Sequence, residues 1–149
     1  MRQPIQVLVY VVRRHQGGDW QYLLLRRVPD RGGFWQGITG GAEEGENLLQ
    51  AATRELAEET QLTPLTLEKA DFHYSFPMEE RWRHLYKPGT EAITEYVFIA
   101  SVGHQDEPVL SPEHDGYEWC EFEQALGKLT WPNNVEALRQ CQKVVLTWK

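Results

Sequence analysis

Cysteine is nearly absent from this chain of 149 residues: Cys120 and Cys141 are the only two, and they form no closely spaced metal-type pair. A domain of this length needs no disulfide staple, so a reduced, cytoplasmic protein is the expectation. Long apolar runs are missing as well. The stretch Val7 to Val12 is far too short to span a bilayer, and no small-residue cleavage site follows it before Arg13-Arg14. Neither export nor membrane insertion is expected. Excess positive charge is the third absence. A net charge of −7 argues against binding to nucleic acid or to an anionic membrane, both of which reward clustered Lys and Arg. Repeats, linkers and low-complexity tracts are lacking too, and 41% hydrophobic content over this length predicts one domain spanning residues 1–149.

What is present alternates between strand and helix signals. Ile5 to Arg14 and Trp20 to Arg27 are rich in Val, Leu and Tyr, and His15-Gln16-Gly17-Gly18-Asp19 between them reads as a hairpin turn. The first of these strands is expected to be buried on both faces. A Pro, Asp and Gly loop from Val28 to Gly33 delivers Phe34-Trp35, followed by a short extended stretch, Gly37-Ile38-Thr39, that ends in Gly40-Gly41. Asn47 is placed to cap a helix, with Gln50 reaching back in a capping-box arrangement. Leu48, Leu49, Ala52 and Leu56 would form the inward face of that helix. Strands are predicted over Leu65 to Phe76, Ala92 to Val102 and Tyr117 to Phe122, with a loop at Arg81 to Gly89. A closing helix after Pro132 carries Val135, Leu138, Cys141 and Val145 on one side. Strands mixed with two helices predict a layered α/β domain.

The segment EGENLLQAATRELAEET, residues 44–60, crowds Glu55, Glu58 and Glu59 onto one helical turn. Positions three and four apart are neighbours on a helix, so these carboxylates repel one another unless a cation sits among them. Taken alone, such a cluster reads as a solvated edge looking outward, screened by water and salt. The cluster does not stand alone, however. Gly40, Glu46, Arg54, Glu55, Leu56, Glu58, Glu59 and Leu62 occur at fixed intervals that specify a loop, a helix and its acidic positions together.

This string resembles the signature of the Nudix hydrolases. The resemblance implies an α/β/α sandwich with a mixed sheet, and an enzyme that attacks phosphoric anhydrides with a divalent cation, magnesium or manganese. Glu55, Glu58 and Glu59 would be the metal ligands, the Thr39 carbonyl a neutral one, and Arg54 and Glu46 the brace for the carboxylates. Gln61 departs from the pattern, standing where the family has a glycine, which implies a strained or reshaped helix exit. The general base often lies outside the motif in this family. Glu113, in SPEHDGYEW, is the candidate, as base or as a further metal ligand. His114-Asp115 would suit another class of phosphohydrolase, but no partner histidines stand at helical spacing around it, and that reading is rejected.

The segments LLRR at 24–27, FWQGITGGAEEGE at 34–46, RHLYKPG at 83–89 and Glu113-His114 are similar to the branch of that family acting on dihydroneopterin triphosphate, in the folate pathway, and on dATP. That resemblance implies a small-molecule triphosphate as partner, cut between its α and β phosphorus atoms. Arg2, Arg26 and Thr39 would face the phosphates, and Thr130-Trp131 would lie near the ring. Cationic help for the metal edge is available from Arg26 or from the loop with Arg81, Arg83 and Lys87. Trp35, Trp82 or Trp131 could stack on a flat ring, although any one of six tryptophans is by default a core residue. Dinucleoside polyphosphates and dNTP clean-up are the alternative within the family, and a non-catalytic nucleotide-sensing module is the alternative outside enzymes.

Overall fold

A computed structural model describes residues 2–15 and 18–148. Gln16 and Gly17 of the anticipated hairpin turn lie outside the described residues. The order of elements is β1 (Ile5–Arg14), β2 (Trp20–Arg27), a 3-10 turn (Pro29–Arg31), β3 (Trp35–Gln36), β4 (Ile38–Gly41), α1 (Leu48–Thr60) and β5 (Thr66–Pro77). A second 3-10 segment (Glu80–Leu85), β6 (Ala92–Val102), β7 (His114–Cys120), α2 (Phe122–Lys128) and α3 (Pro132–Val145) complete it.

The seven strands form one mixed sheet in the order β3-β2-β1-β6-β5, with β4 paired to β1 and β7 to β2. β1 and β6 run parallel, and the remaining pairs are antiparallel. Successive side chains of a strand point to opposite faces. On β1, Val7, Val9 and Val11 accordingly pack with Ala52 and Leu56 of α1, while Leu8, Tyr10 and Val12 pack with Leu138, Cys141 and Val145 of α3. All six β1 residues are fully buried, as a central strand covered on both sides must be. The result is an α/β/α sandwich. No helix among the described residues is long and apolar enough to cross a membrane.

Four details differ from the sequence reading. The last strand runs from His114 to Cys120, and Phe122 opens α2 instead of closing the strand. There are therefore three α-helices among the described residues, not two; α2 has only seven residues, too few to display a helical period. Leu49 is 52% exposed and lies off the packed face, because the inward stripe runs through Leu48, Ala51, Ala52 and Leu56. Finally, the glutamate edge of α1 does not look out. Glu55 lies seven residues after Leu48 and Glu59 seven after Ala52, so both continue the buried stripe, with 7% and 6% exposure; only Glu58 is exposed.

Candidate active site

The buried glutamates are seated by the two ends of α1 and by β4. At its start Asn47 accepts from the Gln50 backbone N–H at 2.8 Å, while the Gln50 side chain accepts from the Asn47 N–H at 2.9 Å, closing the capping box. At its end Gln61 adopts φ 58°, ψ 18°, and donates its N–H to the Ala57 carbonyl. The left-handed exit that a glycine would make freely is thus made by a side-chain-bearing residue, at some strain. Between these ends Glu55 lies over Gly40 of β4, so closely that a Cβ on residue 40 would fall inside the Glu55 carboxyl group. That close approach, and no unusual φ, is what requires glycine here.

Arg54 holds the carboxylates together. Its Nε and Nη2 donate to the two oxygens of Glu46 at 2.7 and 2.9 Å, a bidentate pair. Nη2 also donates to the Gly41 carbonyl at 2.9 Å, and Nη1 to Glu55 at 2.8 Å and to Glu58 at 3.2 Å. One planar guanidinium thereby ties the loop before α1, strand β4 and two acidic side chains of the helix. The same contact holds the Glu46 carboxyl below the usual carboxylate range.

The chain before β7 supplies the other wall. Val109 N–H donates to the Thr60 carbonyl at 2.8 Å and Ser111 N–H to the Glu59 carbonyl at 3.2 Å, strapping residues 109–111 across the end of α1. Ser111 Oγ reaches Glu59 Oε2 at 3.1 Å. This strap brings Glu113 and His114 against Glu59, where the three offer donor atoms within 4.8 Å of one another. His114 Nδ1 is 3.0 Å from Glu59 Oε2, yet neither buried ring nitrogen makes a well-directed hydrogen bond. Arg31 approaches Glu113 at 3.3 Å. Arg27, stacked on Phe34, has a buried Nε with no partner and lies in the field of Glu113 and Glu59.

Burial pushes the Glu55 carboxyl up to about 7, against the pull of Arg54. Burial would likewise raise Glu59, but the close His114 ring and hydrogen bonds from Glu113 and Ser111 bring it below the ordinary range. Glu113, hydrogen-bonded to Glu59 and partly buried, is displaced upward. Like charges packed this closely are costly without a counter-ion. Hard oxygen donors, an incompletely ionised buried carboxylate and an imidazole without hydrogen bonds fit a divalent cation, which this cluster can hold.

The other anticipated residues divide between two places. Thr39 stands opposite Leu8 and Gly41 opposite Gln6, both on the α3 face of the sheet, whereas Gly40 faces α1. Arg2 lies over Gly41, whose Cβ would be 3.3 Å from Arg2 Cδ, and pairs with Tyr86 after the second 3-10 segment. Trp131, just before α3, is 51% exposed and meets Phe34 edge-on with centroids 6.0 Å apart. Trp35 is half-buried against the α3-side core, under Lys128 and Arg26. Arg26 itself turns to Asp115 at 2.7 Å, so His114 and Asp115 point to opposite sides. Arg83 is exposed, paired with Glu80 and with the Thr90 carbonyl. Missed by sequence reasoning are Arg27, Arg31 and Ser111 beside the acidic cluster, while His114, weighed with Asp115 and set aside, lies there too. The side-by-side arginines of Arg26-Arg27 are a signal, because adjacent strand residues face opposite ways and only one of them can reach the cluster.

Comparison with known proteins agrees with this geometry. The NUDIX domain matches residues 2–141. A dihydroneopterin triphosphate diphosphatase of Escherichia coli (strain K12) is 31% identical over 143 residues, covering 93% of this chain and 92% of that protein. An octanoyltransferase of Myxococcus xanthus is 34% identical over 92% of this chain, but the match spans only 36% of that protein's length. Among solved structures, a NUDIX hydrolase from Listeria monocytogenes superposes with a TM-score of 0.82 at 28% identity, covering 97% of this chain and 96% of the other. With carboxylates of one helix gathered over a glycine by a shared arginine, and a domain match running almost from end to end, the chain belongs to the Nudix hydrolase family.

Proposed function

We propose that this chain is a magnesium-dependent pyrophosphohydrolase that cleaves a triphosphate attached to a flat heterocycle between the α and β phosphorus atoms, releasing pyrophosphate and a monophosphate. Dihydroneopterin triphosphate is the first choice of substrate, supported by the similarity to the Escherichia coli diphosphatase over nearly the whole of both chains. The observation that carries the reaction type is the gathering of Glu59, Glu113 and His114 at one point beside the helix whose Glu55 and Glu58 are braced by Arg54.

Glu55, Glu58, Glu59 and Glu113 would hold magnesium, with manganese able to replace it. When bound, such an ion draws charge from phosphate oxygens and acidifies the attacking water. Glu113, at the mouth of the cluster and steadied by Arg31, accepts the water's proton. Arg27 offers its unpaired Nε to a phosphate oxygen, and Arg2 stands on the other side of β4 to bind the rest of the triphosphate. Glu46 and Arg54 keep the carboxylates from spreading.

The test is pyrophosphate and phosphate release, with and without magnesium, across dihydroneopterin triphosphate, the four dNTPs and diadenosine polyphosphates. Magnesium-dependent pyrophosphate release led by the pterin is expected. A dinucleoside polyphosphate as best substrate would replace the substrate assignment, and no turnover anywhere in the panel would overturn the enzymatic reading.

A further inference from the structure

The histidines of the chain divide sharply by position. His15, His73, His84 and His104 are exposed, whereas the side chain of His114 is only 3% exposed. Neither of its ring nitrogens makes a hydrogen bond among the described residues. An imidazole enclosed in this way gives up its water and gains no partner, a costly arrangement unless a ligand supplies what is missing.

The surroundings of the ring narrow down that ligand. His114 and Arg27 are cross-strand partners of β7 and β2, while Asp115 turns away to Arg26. The strap across the end of α1 sets His114 Nδ1 3.0 Å from Glu59 Oε2, and Ser111 Oγ holds that same oxygen at 3.1 Å. Glu113 completes the corner, since the three side chains each offer a donor atom within 4.8 Å of the others. Adjacent donors around a six-coordinate ion with bonds of about 2.1 Å stand about 3 Å apart, and opposite donors about 4.2 Å. The spacing of His114 and Glu59 is thus that of two neighbouring ligands of one ion. A nitrogen so near a carboxylate oxygen, with no directed hydrogen bond between them, fits that arrangement better than an ordinary polar pair. Glu113 lies at the rim with its side chain 38% exposed, which gives an ion a way in.

We propose that His114, Glu59 and Glu113 form a mixed nitrogen–oxygen site for a transition-metal ion of the manganese, cobalt or zinc class, beside the oxygen-only edge of Glu55 and Glu58 that suits magnesium. The carboxylates of α1 offer oxygen alone; the nitrogen comes from β7, outside the sequence motif. Imidazole suits such ions, whereas magnesium keeps to oxygen donors and water. Ser111 steadies the Glu59 oxygen from behind, as an outer partner of a ligand does. The inference rests on the metal-dependent reading above and names which ion one corner of that site selects.

The experiment adds manganese chloride alone to the metal-free chain and reads nitrogen coupling to the bound ion by pulsed EPR. Wild type is compared with His114→Gln, which keeps a polar side chain and lacks the imidazole. Calorimetric titrations with manganese and with magnesium run beside it, and thermal melting shows that the variant folds. A directly bonded nitrogen is expected in wild type and should vanish in His114→Gln. Affinity for manganese should fall about 10- to 100-fold in the variant, and affinity for magnesium by no more than about threefold. Should the variant not fold, wild type prepared with histidine enriched in heavy nitrogen decides: the coupling must change to that of the heavy isotope, and no other group of three such donors lies among the described residues. Manganese held through oxygen alone, no manganese bound, or nitrogen coupling that persists in a folded His114→Gln overturns the inference. Magnesium-dependent pyrophosphate release in any of those cases leaves the hydrolysis reading intact, and nitrogen-ligated manganese in a chain that cleaves no triphosphate does the reverse.

Discussion

Gly40 and the carboxylate of Glu55 occupy a single seat: the space a side chain would take on the strand is filled by the acid from the helix. The motif glycine therefore acts by absence, letting α1 and β4 approach until a charged group is enclosed between them. Gly40→Ala should displace Glu55 and lower turnover by about 100-fold or more, a loss comparable to removing support from a metal ligand. Steady-state pyrophosphate release, read beside a magnesium titration, checks it; a kcat within a few-fold of wild type would mean that Glu55 has no catalytic part.

Arg54 makes five hydrogen bonds at distances of 2.7 to 3.2 Å, two of them from the fork on Glu46. Lysine keeps the charge and loses the fork. Arg54→Lys should weaken magnesium dependence and kcat together, by roughly 10- to 100-fold, with a small change in melting temperature. Wild-type kinetics in this variant would reduce Arg54 to an ordinary surface ion pair.

Glu58 and Glu59 are sequence neighbours in different surroundings, since Glu58 is exposed while Glu59 is enclosed with Ser111, Glu113 and His114. Both Glu58→Gln and Glu59→Gln should reduce turnover by about 100-fold or more, as loss of a ligand to a catalytic cation does. Only Glu59→Gln should also alter thermal stability. Full activity in both would remove them from the metal site.

Stability without metal should fall as pH rises. The folded-state value of Glu55, about 7, lies above the ordinary carboxylate value of 4.5; between these limits the folded protein binds more protons than the unfolded chain, so ionisation destabilises it. Glu113 and Glu95 are displaced the same way, and Glu59 the opposite way. Denaturant unfolding at pH 5 and pH 8 should differ by about 1–3 kcal/mol in favour of pH 5. Magnesium should flatten this slope by favouring the ionised carboxylates, and Glu55→Gln should remove its share. A metal-free stability that rises over this interval would contradict the burial of Glu55 as an isolated acid.

At the helix exit, Gln61 is the one non-glycine residue with positive φ among the described residues. Gln61→Gly should relieve left-handed strain of about 1 kcal/mol, partly offset by the freer unfolded chain. The net gain, up to about 1 kcal/mol, corresponds to a melting point higher by about 2–4 °C at most. A lower melting point would show that Gln61 makes a compensating contact.

Much of this was legible in the chain. The limits of β1, β2 and β6 are marked by turn residues or loops, and the capping box at Asn47 and Gln50 is a local pattern that forms locally. The direction of Glu55 and Glu59 was legible as geometry, seven residues on from Leu48 and Ala52, but charge argued for solvent and only the approach of β4 decides otherwise. His114 and Arg31 were not legible as neighbours of the acidic cluster. Their place depends on residues 109–111 being laid across the end of α1, a long-range contact with no local period. Glu95 gave no signal of its own in the chain, because its two partners come from other strands, β1 and β5.

β4 has only four residues, and its alternation turns Gly40 to one face of the sheet and Thr39 and Gly41 to the other. It works as a partition one residue thick. The two faces are insulated from each other in packing while lying one strand apart, so side chains on one can be changed without moving the other. Replacing side chains along Gln6, Tyr74 and Glu95 leaves the seat of Glu55 undisturbed, so the chemistry of the one face can be held fixed while the other is rebuilt.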